Sequence, residues 1–514
     1  MDNLPQELLG PIISHVADLP WKNRRRKPRG LASYTTVSRR WQRYIEPFLF
    51  REFNLHNTSV RQLEELELFR PSEAHRRAYV EQINLSITLL ADDVEDADER
   101  ARINNANDYI FSDCIHRLFR VLASIDGDET EPPRRENGRI KVRVGRILSM
   151  SDDPRHEYHR RLMNGAPRLR FKEPELLPAV RSVGYFSFDS ILTTRLVEPA
   201  SLINVARKVY GLESCFLRSS GDELLDVKTR GENRLGKWEN TLTNNPYGPV
   251  LADSSVLALS EAISNCEQLA TQITLFFRTQ GVYDEAKNAP NILTPCSSSP
   301  SDPLSISLHS LIKRSKPTRV TLGCTVISPE LFWPLETGTV LLRKDPNFWS
   351  KLKYIDVTMG PYTPRGEWYF LPDPRVSISP TNGDEQQDTA PAATFTAQNT
   401  FRTVPNPMQI NPLLMAMARA AFTAPELERM ILSCRRKLRP RNEGVNRMNT
   451  NQTFTIDYGV KGHSEYEGDP PIERTRLLVE TGHSNWRLDQ EVERCWRDVL
   501  GDDGEIVYGA GCGP

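Results

Sequence analysis

"PLSISLHSLIKRSKPTRVTLG", residues 303–323, holds the pattern on which the fold turns. Leu304, Leu308, Leu311 and Ile312 recur at three- and four-residue spacing, the stripe of an amphipathic helix. Pro317 cannot continue that helix, and after it Val320 and Leu322 alternate as the inward positions of a short strand do. Similar helical stripes run through Ile110, Phe111, Cys114, Ile115, Leu118, Phe119 and Leu122, through Val256, Leu259, Ile263 and Cys266, and through Leu413, Met417, Ala420 and Ala421. Strand-like runs fit apolar-x-x-apolar-x-apolar at Phe50/Phe53/Leu55, Val80/Ile83/Leu85, Val180/Val183/Tyr185 and Leu212/Cys215/Leu217. They recur at Ala270/Ile273/Leu275, Leu352/Ile355/Val357 and Leu427/Met430/Leu432, with Pro317 standing in the first position ahead of Val320 and Leu322.

That template is loose, and its matches alone decide nothing; their order does. Helical segment, short turn, strand and loop is the unit of a leucine-rich-repeat solenoid, in which stacked strands line a concave face. The spacing is irregular, from about 30 residues (Phe50 to Val80) to about 100 (Val80 to Val180), against roughly 20–29 in regular repeats. The expected fold is therefore α/β, an irregular leucine-rich-repeat-like horseshoe over residues 51–500 with long insertions. An ordinary α/β domain with a parallel sheet is the competing architecture. Four polar stretches rich in turn residues, 126–139, 284–303, 374–409 and 435–451, are expected to be largely disordered, and 501–514 to form a flexible tail.

The charges nearly cancel, 66 Lys and Arg against 67 Asp and Glu, so no global field is set up to attract nucleic acid or an anionic membrane. No apolar run approaches the roughly 20 residues of a membrane span, and the N-terminus lacks the pattern of a secretory signal. A reducing compartment follows, cytoplasmic or nuclear. The eight cysteines, without a C-x-x-C pair, are read as free thiols.

The chain offers no catalytic set. "HEYH" (156–159) has its histidines three apart in a charged run and reads as an exposed turn. His463 and His483 lack partner spacing, and "DDVEDADER" (92–100) reads as a solvated acidic face. Neither a phosphate-binding loop nor a nucleophile elbow occurs. No metal, no cofactor and no bond chemistry are expected. The basic run "KNRRRKPR" (22–29) is read as a solvated loop or a nuclear-import signal; no groove-reading element accompanies it. "GEWYFLPD" (366–373) is read as core packing against the last strands, with a partner-binding patch as the alternative.

Two apolar stripes open the chain. Pro5 suits the first position of a helix carrying Leu8, Ile12, Val16 and Leu19. Leu31, Tyr34, Val37, Trp41, Ile45 and Phe48 make a second, expected to end at Pro47. Two such stripes in so short a piece cannot close a core alone. Leu4-Pro5-x-Glu7-Leu8 and Val37-Ser38-Arg39-Arg40-Trp41, in this order, resemble the opening and the V-S-[KR]-x-W signature of the F-box family over roughly residues 3–50. The Gly10-Pro11 pair is expected to split the first helix.

The resemblance implies docking on a Skp-type adaptor, and through it on a cullin–RING scaffold, as in an SCF-type ubiquitin ligase. The adaptor-binding positions it implies are Leu4, Pro5, Leu8, Ile12, Val16, Leu31, Val37, Ser38, Trp41 and Ile45. The rest of the chain would select a protein target for ubiquitination and would perform no catalysis itself. An F-box scaffold or nuclear binding protein acting without ubiquitination is the alternative.

Overall fold

The computed structural model describes residues 38–57, 59–60, 74–91, 94, 96–126, 139–149, 168–189, 197–219, 248–276, 289, 291, 293, 301–334, 347–372, 402–437, 451–464, 471–481 and 486–509. The chain divides into two compact units, Met1–Phe216 and Leu217–Pro514. The division falls inside a strand.

In the first unit the elements are α1 (Arg39–Leu49), β1 (Glu52–Leu55), α2 (Ala74–Arg77), β2 (Gln82–Leu89), α3 (Ala97–Asp126), β3 (Ile140–Ser149), β4 (Val183–Asp189), α4 (Pro199–Ala206) and most of β5 (Leu212–Arg218), whose last two residues, Leu217 and Arg218, belong to the second unit. β1, β2, β3 and β4 pair in sequence order, every pair parallel. The second unit holds α5 (Gly248–Ser264), β6 (Ala270–Phe276), α6 (Pro303–Ser315), β7 (Arg319–Thr325), β8 (Tyr354–Met359), β9 (Phe370–Pro372) and β10 (Arg402–Pro405). It continues with α7 (Pro407–Thr423), β11 (Arg429–Lys437), β12 (Asn451–Gly459), β13 (Arg476–Glu480), α8 (Gln490–Leu500) and β14 (Glu505–Gly509). Its order is β6-β7-β8-β11-β12-β13-β14, with β9 and β10 as a separate antiparallel pair. Pairing is parallel from β6 to β11, antiparallel at β11–β12 and β12–β13, and parallel again at β13–β14. The structure is mixed α/β with mostly parallel strands, and the described strands form no closed barrel.

All eight runs of the strand template lie in or against strands. β2 and β8 alternate cleanly: Ile83, Leu85, Ile87 and Leu89 of β2 are buried, as are Ile355, Val357 and Met359 of β8, while the residues between them are half-buried or exposed. The first apolar residue of the template precedes the strand and is buried under the corner, as Val80, Leu352 and Leu427 show. At that corner two successive N–H groups donate to one carbonyl of the preceding turn. Glu81 and Gln82 donate to Arg51, Lys353 and Tyr354 to Thr318, and Glu428 and Arg429 to Lys353. The same corner, recurring in both units, starts successive strands at a fixed offset.

Helices cover the apolar face. In the second unit α5 packs on α6, α7 on α8, and a 3-10 turn at Pro329–Leu331 touches both α6 and α7. Asp302 and Asn406 cap α6 and α7 with their carboxylate and amide oxygens, each followed by Pro at the first helical position. Asp302 is buried, and that burial pushes its carboxyl up despite hydrogen bonds from Leu304, Ser305 and Ser328.

Several expectations at the ends of elements are corrected. Pro47 does not end α1, which runs to Leu49. The proline removes one N–H, but the Phe50 N–H still reaches the Glu46 carbonyl at 2.9 Å and closes the last turn. β10 and the first turn of α7 occupy 402–409, inside the stretch 374–409 expected to be disordered, because Asn406-Pro407 is a helix start. β11 and β12 extend to Lys437 and Asn451 at the two ends of 435–451. Residues 505–509, assigned to the tail, form β14 beside β13; Gly501 at φ +70 turns the chain out of α8 and sends Glu505–Gly509 back to the sheet. Tyr369 and Phe370 of "GEWYFLPD" are core residues, with Phe370 edge-on to Phe454 of β12 at 5.6 Å.

His309 of α6 is 6% exposed, with ring contacts to Phe348 and Trp349, and its Nδ1–H donates to the Leu331 carbonyl at 3.1 Å. Burial pushes its pKa down from 6.5 to about 4, more than the hydrogen bond to Leu331 restores, and Lys313 adds to the lowering. As pH falls below 6.5 the unfolded chain takes up a proton at His309 that the folded chain refuses until about pH 4. Stability of the second unit is expected to drop across that window by up to about 3 kcal/mol. Denaturant unfolding between pH 7 and 4 checks this, and His309→Phe should flatten that part of the curve.

Candidate binding face and the N-terminal helix

Because the strands bury alternate side chains on one side, the residues between them form a second face, and parallel register stacks them into rows. In the second unit one row runs Gln272, Arg319, Tyr354, Arg429 across β6, β7, β8 and β11. The next runs Thr274, Thr321, Asp356, Ile431. Beyond it Thr358 and Ser433 lie opposite one another with their hydroxyls 3.2 Å apart.

Three arrangements organise this face. The Arg319 guanidinium lies over the Tyr354 ring at 4.3 Å, and Arg319 itself is exposed. Arg218 lies over the Phe276 ring at 5.6 Å, and a Cβ on Gly323, the residue opposite Phe276, would run into that ring. A side chain at 323 would therefore push Phe276 out of its place. Third, Arg429 donates two hydrogen bonds to Asp457 of β12, Nε to Oδ1 at 3.0 Å and a terminal nitrogen to Oδ2 at 2.7 Å. Both side chains of this fork are close to buried, 9% and 11% exposed. Burial raises the Tyr354 hydroxyl pKa, with Asp356 adding to the rise and Arg429 and Arg319 opposing it, so the phenol stays a neutral donor.

The first unit repeats the theme. Glu52, Gln82, Lys141 and Tyr185 form one row, and Asn54, Asn84, Arg143 and Ser187 the next. The Asn84 amide donates to Glu52 at 2.7 Å and to Asn54 at 2.9 Å, and accepts from Gln82 at 2.9 Å. Arg143 lies over the Tyr185 ring at 5.7 Å. Tyr185, read as a core position, is on this open face instead. The β3–β4 register slips by one residue at Gly184, which turns Tyr185 outward and puts Phe186 and Phe188 into the core.

Of the residues expected to meet an adaptor, Leu4, Pro5, Leu8, Ile12, Val16, Leu31 and Val37 lie outside the described residues. Ser38, Trp41 and Ile45 are brought together on α1. Ser38 is its N-cap, the hydroxyl oxygen accepting from the Trp41 N–H at 3.3 Å. Ile45 is fully buried, packed by the half-buried Trp41, Tyr44, Phe48 and Leu49. On the same helix Glu46 accepts hydrogen bonds from Gln42, His75 and Arg76 at 2.6–3.1 Å, tying α1 to α2. Burial alone would raise the Glu46 carboxyl, but these bonds, Arg76 foremost, hold it below its usual value.

No family model, curated protein or solved structure matches the chain. Its functional reading therefore rests on its own residues.

Cys114, Cys215, Cys266, Cys434 and Cys495 are reduced thiols, the first four buried, and burial pushes the Cys114 thiol up to about 12, where it is inert. His463 pairs its Nδ1 with Glu428 at 3.2 Å, a surface contact. "HEYH", His483 and the basic run 22–29 lie outside the described residues. Among the described residues no group of three or more His, Cys, Asp or Glu is placed to hold a metal, and no helix is long and apolar enough to cross a membrane. The stacks on the open face were missed at the level of sequence, although a signal for most of them was there. In apolar-x-x-apolar-x-apolar, the x positions beside the second apolar residue are Arg319 and Thr321, Tyr354 and Asp356, and Gln272 and Thr274.

Proposed function

We propose that this chain is the target-recognition subunit of an SCF-type cullin–RING ubiquitin ligase. Residues 1–50 dock on a Skp-type adaptor as an F-box, and the open strand faces of an irregular leucine-rich-repeat-like horseshoe receive the protein to be ubiquitinated. The observation that carries the reading is a helix that starts within the V-S-R-R-W motif, at its serine. Ser38 caps α1, and Trp41 and Ile45 fall on one stripe of it. Support for the repeat-like body comes from ladder strands that follow one another in sequence order within each unit, with the same two-donor corner at the starts of β2, β8 and β11. A doubly wound sheet reverses its order at a switch point, and among the described strands of each unit there is no such reversal. The role is one of effective concentration: the chain holds a target beside a loaded conjugating enzyme and makes or breaks no bond.

Co-expression of the full chain with a Skp-type adaptor tests the proposal. The wild type is expected to co-purify with it. Leu4→Ala together with Pro5→Ala should weaken the complex at least tenfold while leaving unfolding of residues 56–500 unchanged. Full adaptor affinity in the double variant rules out this docking mode. Adaptor-dependent turnover of a bound protein separates a ligase subunit from a scaffold.

A further inference from the structure

We infer that the Arg319–Tyr354 stack on the open face of β7 and β8 binds a carboxylate side chain from an acidic, extended segment of a protein partner. The inference rests on the reading of that face as the target-binding surface and names the chemistry it selects.

Two arginines stand in one row of this face. Arg429 and Arg319 flank Tyr354 from either side, on β11 and β7. Arg429 is close to buried and its fork is filled by Asp457, in the two-bond geometry that matches a planar guanidinium to a planar carboxylate. Arg319 is exposed, and among the described residues no carboxylate pairs with it. The contact holds its guanidinium over the Tyr354 ring, 4.3 Å from the centroid, and a guanidinium so placed has N–H groups to offer a ligand. What Asp457 does for Arg429 from within the chain, a partner's Asp or Glu does for Arg319.

The surroundings fit a carboxylate on an extended segment. Gln272, exposed and directly opposite Arg319 on β6, adds an amide donor beside the guanidinium. Thr274 and Thr321 stand one row along, about 7 Å further down the strands, and Thr358 and Ser433 lie beyond them. These half-buried or buried hydroxyls offer hydrogen bonds to a partner's main chain. Asp356 shares the row of Thr321. A phosphate, with nearly two negative charges at neutral pH, is repelled by Asp356 about twice as strongly as a carboxylate is. Its second charge also strengthens the attraction to Arg319, so the choice of Asp or Glu rests on the fork geometry seen at Arg429, and the phosphoserine arm of the test below decides it.

The test immobilises the full chain against a display library of random twelve-residue peptides. Wild type is expected to enrich Asp and Glu at one position. A synthetic copy of the most enriched peptide should bind Arg319→Ala at least tenfold more weakly, and Arg319→Lys should recover only part of the loss, since it restores charge without the fork. Selection on Arg319→Glu should shift that position towards Lys and Arg. Thermal unfolding confirms that each variant is folded. Three results overturn the inference: no acidic enrichment, enrichment unchanged in Arg319→Ala, or tighter binding when phosphoserine replaces the acidic residue. Adaptor co-purification is read on the same proteins and should be unaffected by Arg319. Failure of the wild type to hold the adaptor removes the ligase reading, while the display result still decides the carboxylate site.

Discussion

Asp457→Ala is expected to destabilise the second unit by about 3–5 kcal/mol, because it strands the Arg429 guanidinium in a place that water barely reaches. The wild-type pair offsets its own desolvation with two hydrogen bonds of 2.7 and 3.0 Å. With the carboxylate gone, the desolvation remains and the compensation does not. The converse should hold for removal of both partners. Arg429→Met with Asp457→Leu leaves no buried charge and is expected to cost far less than the single change, or to stabilise. A double-mutant cycle by urea unfolding gives the coupling directly. A loss below 1 kcal/mol in Asp457→Ala would mean that Arg429 finds water or another acceptor.

Trp349→Ala should cost a similar amount, about 3–5 kcal/mol. The ring is 1% exposed, 5.0 Å from Phe348, 5.6 Å from His309 and 6.5 Å from Phe332. It fills the angle between α6, the 3-10 turn and the corner before β8. Its backbone adds a second handle: Trp349 sits at φ +45, in the left-handed region where a Cβ is strained. Glycine relieves that strain but brings extra freedom to the unfolded chain, and the two effects are each about 1 kcal/mol. Trp349→Gly is therefore expected to match Trp349→Ala within about 1 kcal/mol, where at an ordinary helical φ it would be clearly worse. Denaturant midpoints of the two variants, measured side by side, check this.

The strands that build the parallel ladders were legible because one buried face leaves a period-two signal and a helical stripe precedes several of them. β3 was not, although Ile140, Val142 and Val144 alternate well; it follows a polar stretch directly, with no helix just ahead to mark it. β12 and β13 pair antiparallel and fall outside the helix-to-strand unit. Tyr185 was misplaced by a one-residue slip at Gly184, where a Cβ would press on the Arg139 side chain at 2.7 Å; no local pattern announces such a slip. The Arg429–Asp457 fork joins residues 28 apart across an antiparallel pair whose register the sequence does not state. Ser38, Trp41 and Ile45 were legible as a capped stripe. The Glu46 contacts with α2 were not, since they depend on where the chain returns after β1.

The order of the strands bears on how the protein is made. Within the main ladder of each unit every strand after the first pairs with one that has already left the ribosome, as β2 does with β1 and β7 with β6. No strand in the described ladders waits for a later one to be inserted between it and its neighbour. Contacts are thus closed soon after their residues are synthesised, and the chain can add structure from the N-terminal side as it emerges. A nascent chain halted between strands would expose one unfilled edge rather than a gap in the sheet, which leaves chaperones a single short site to shield.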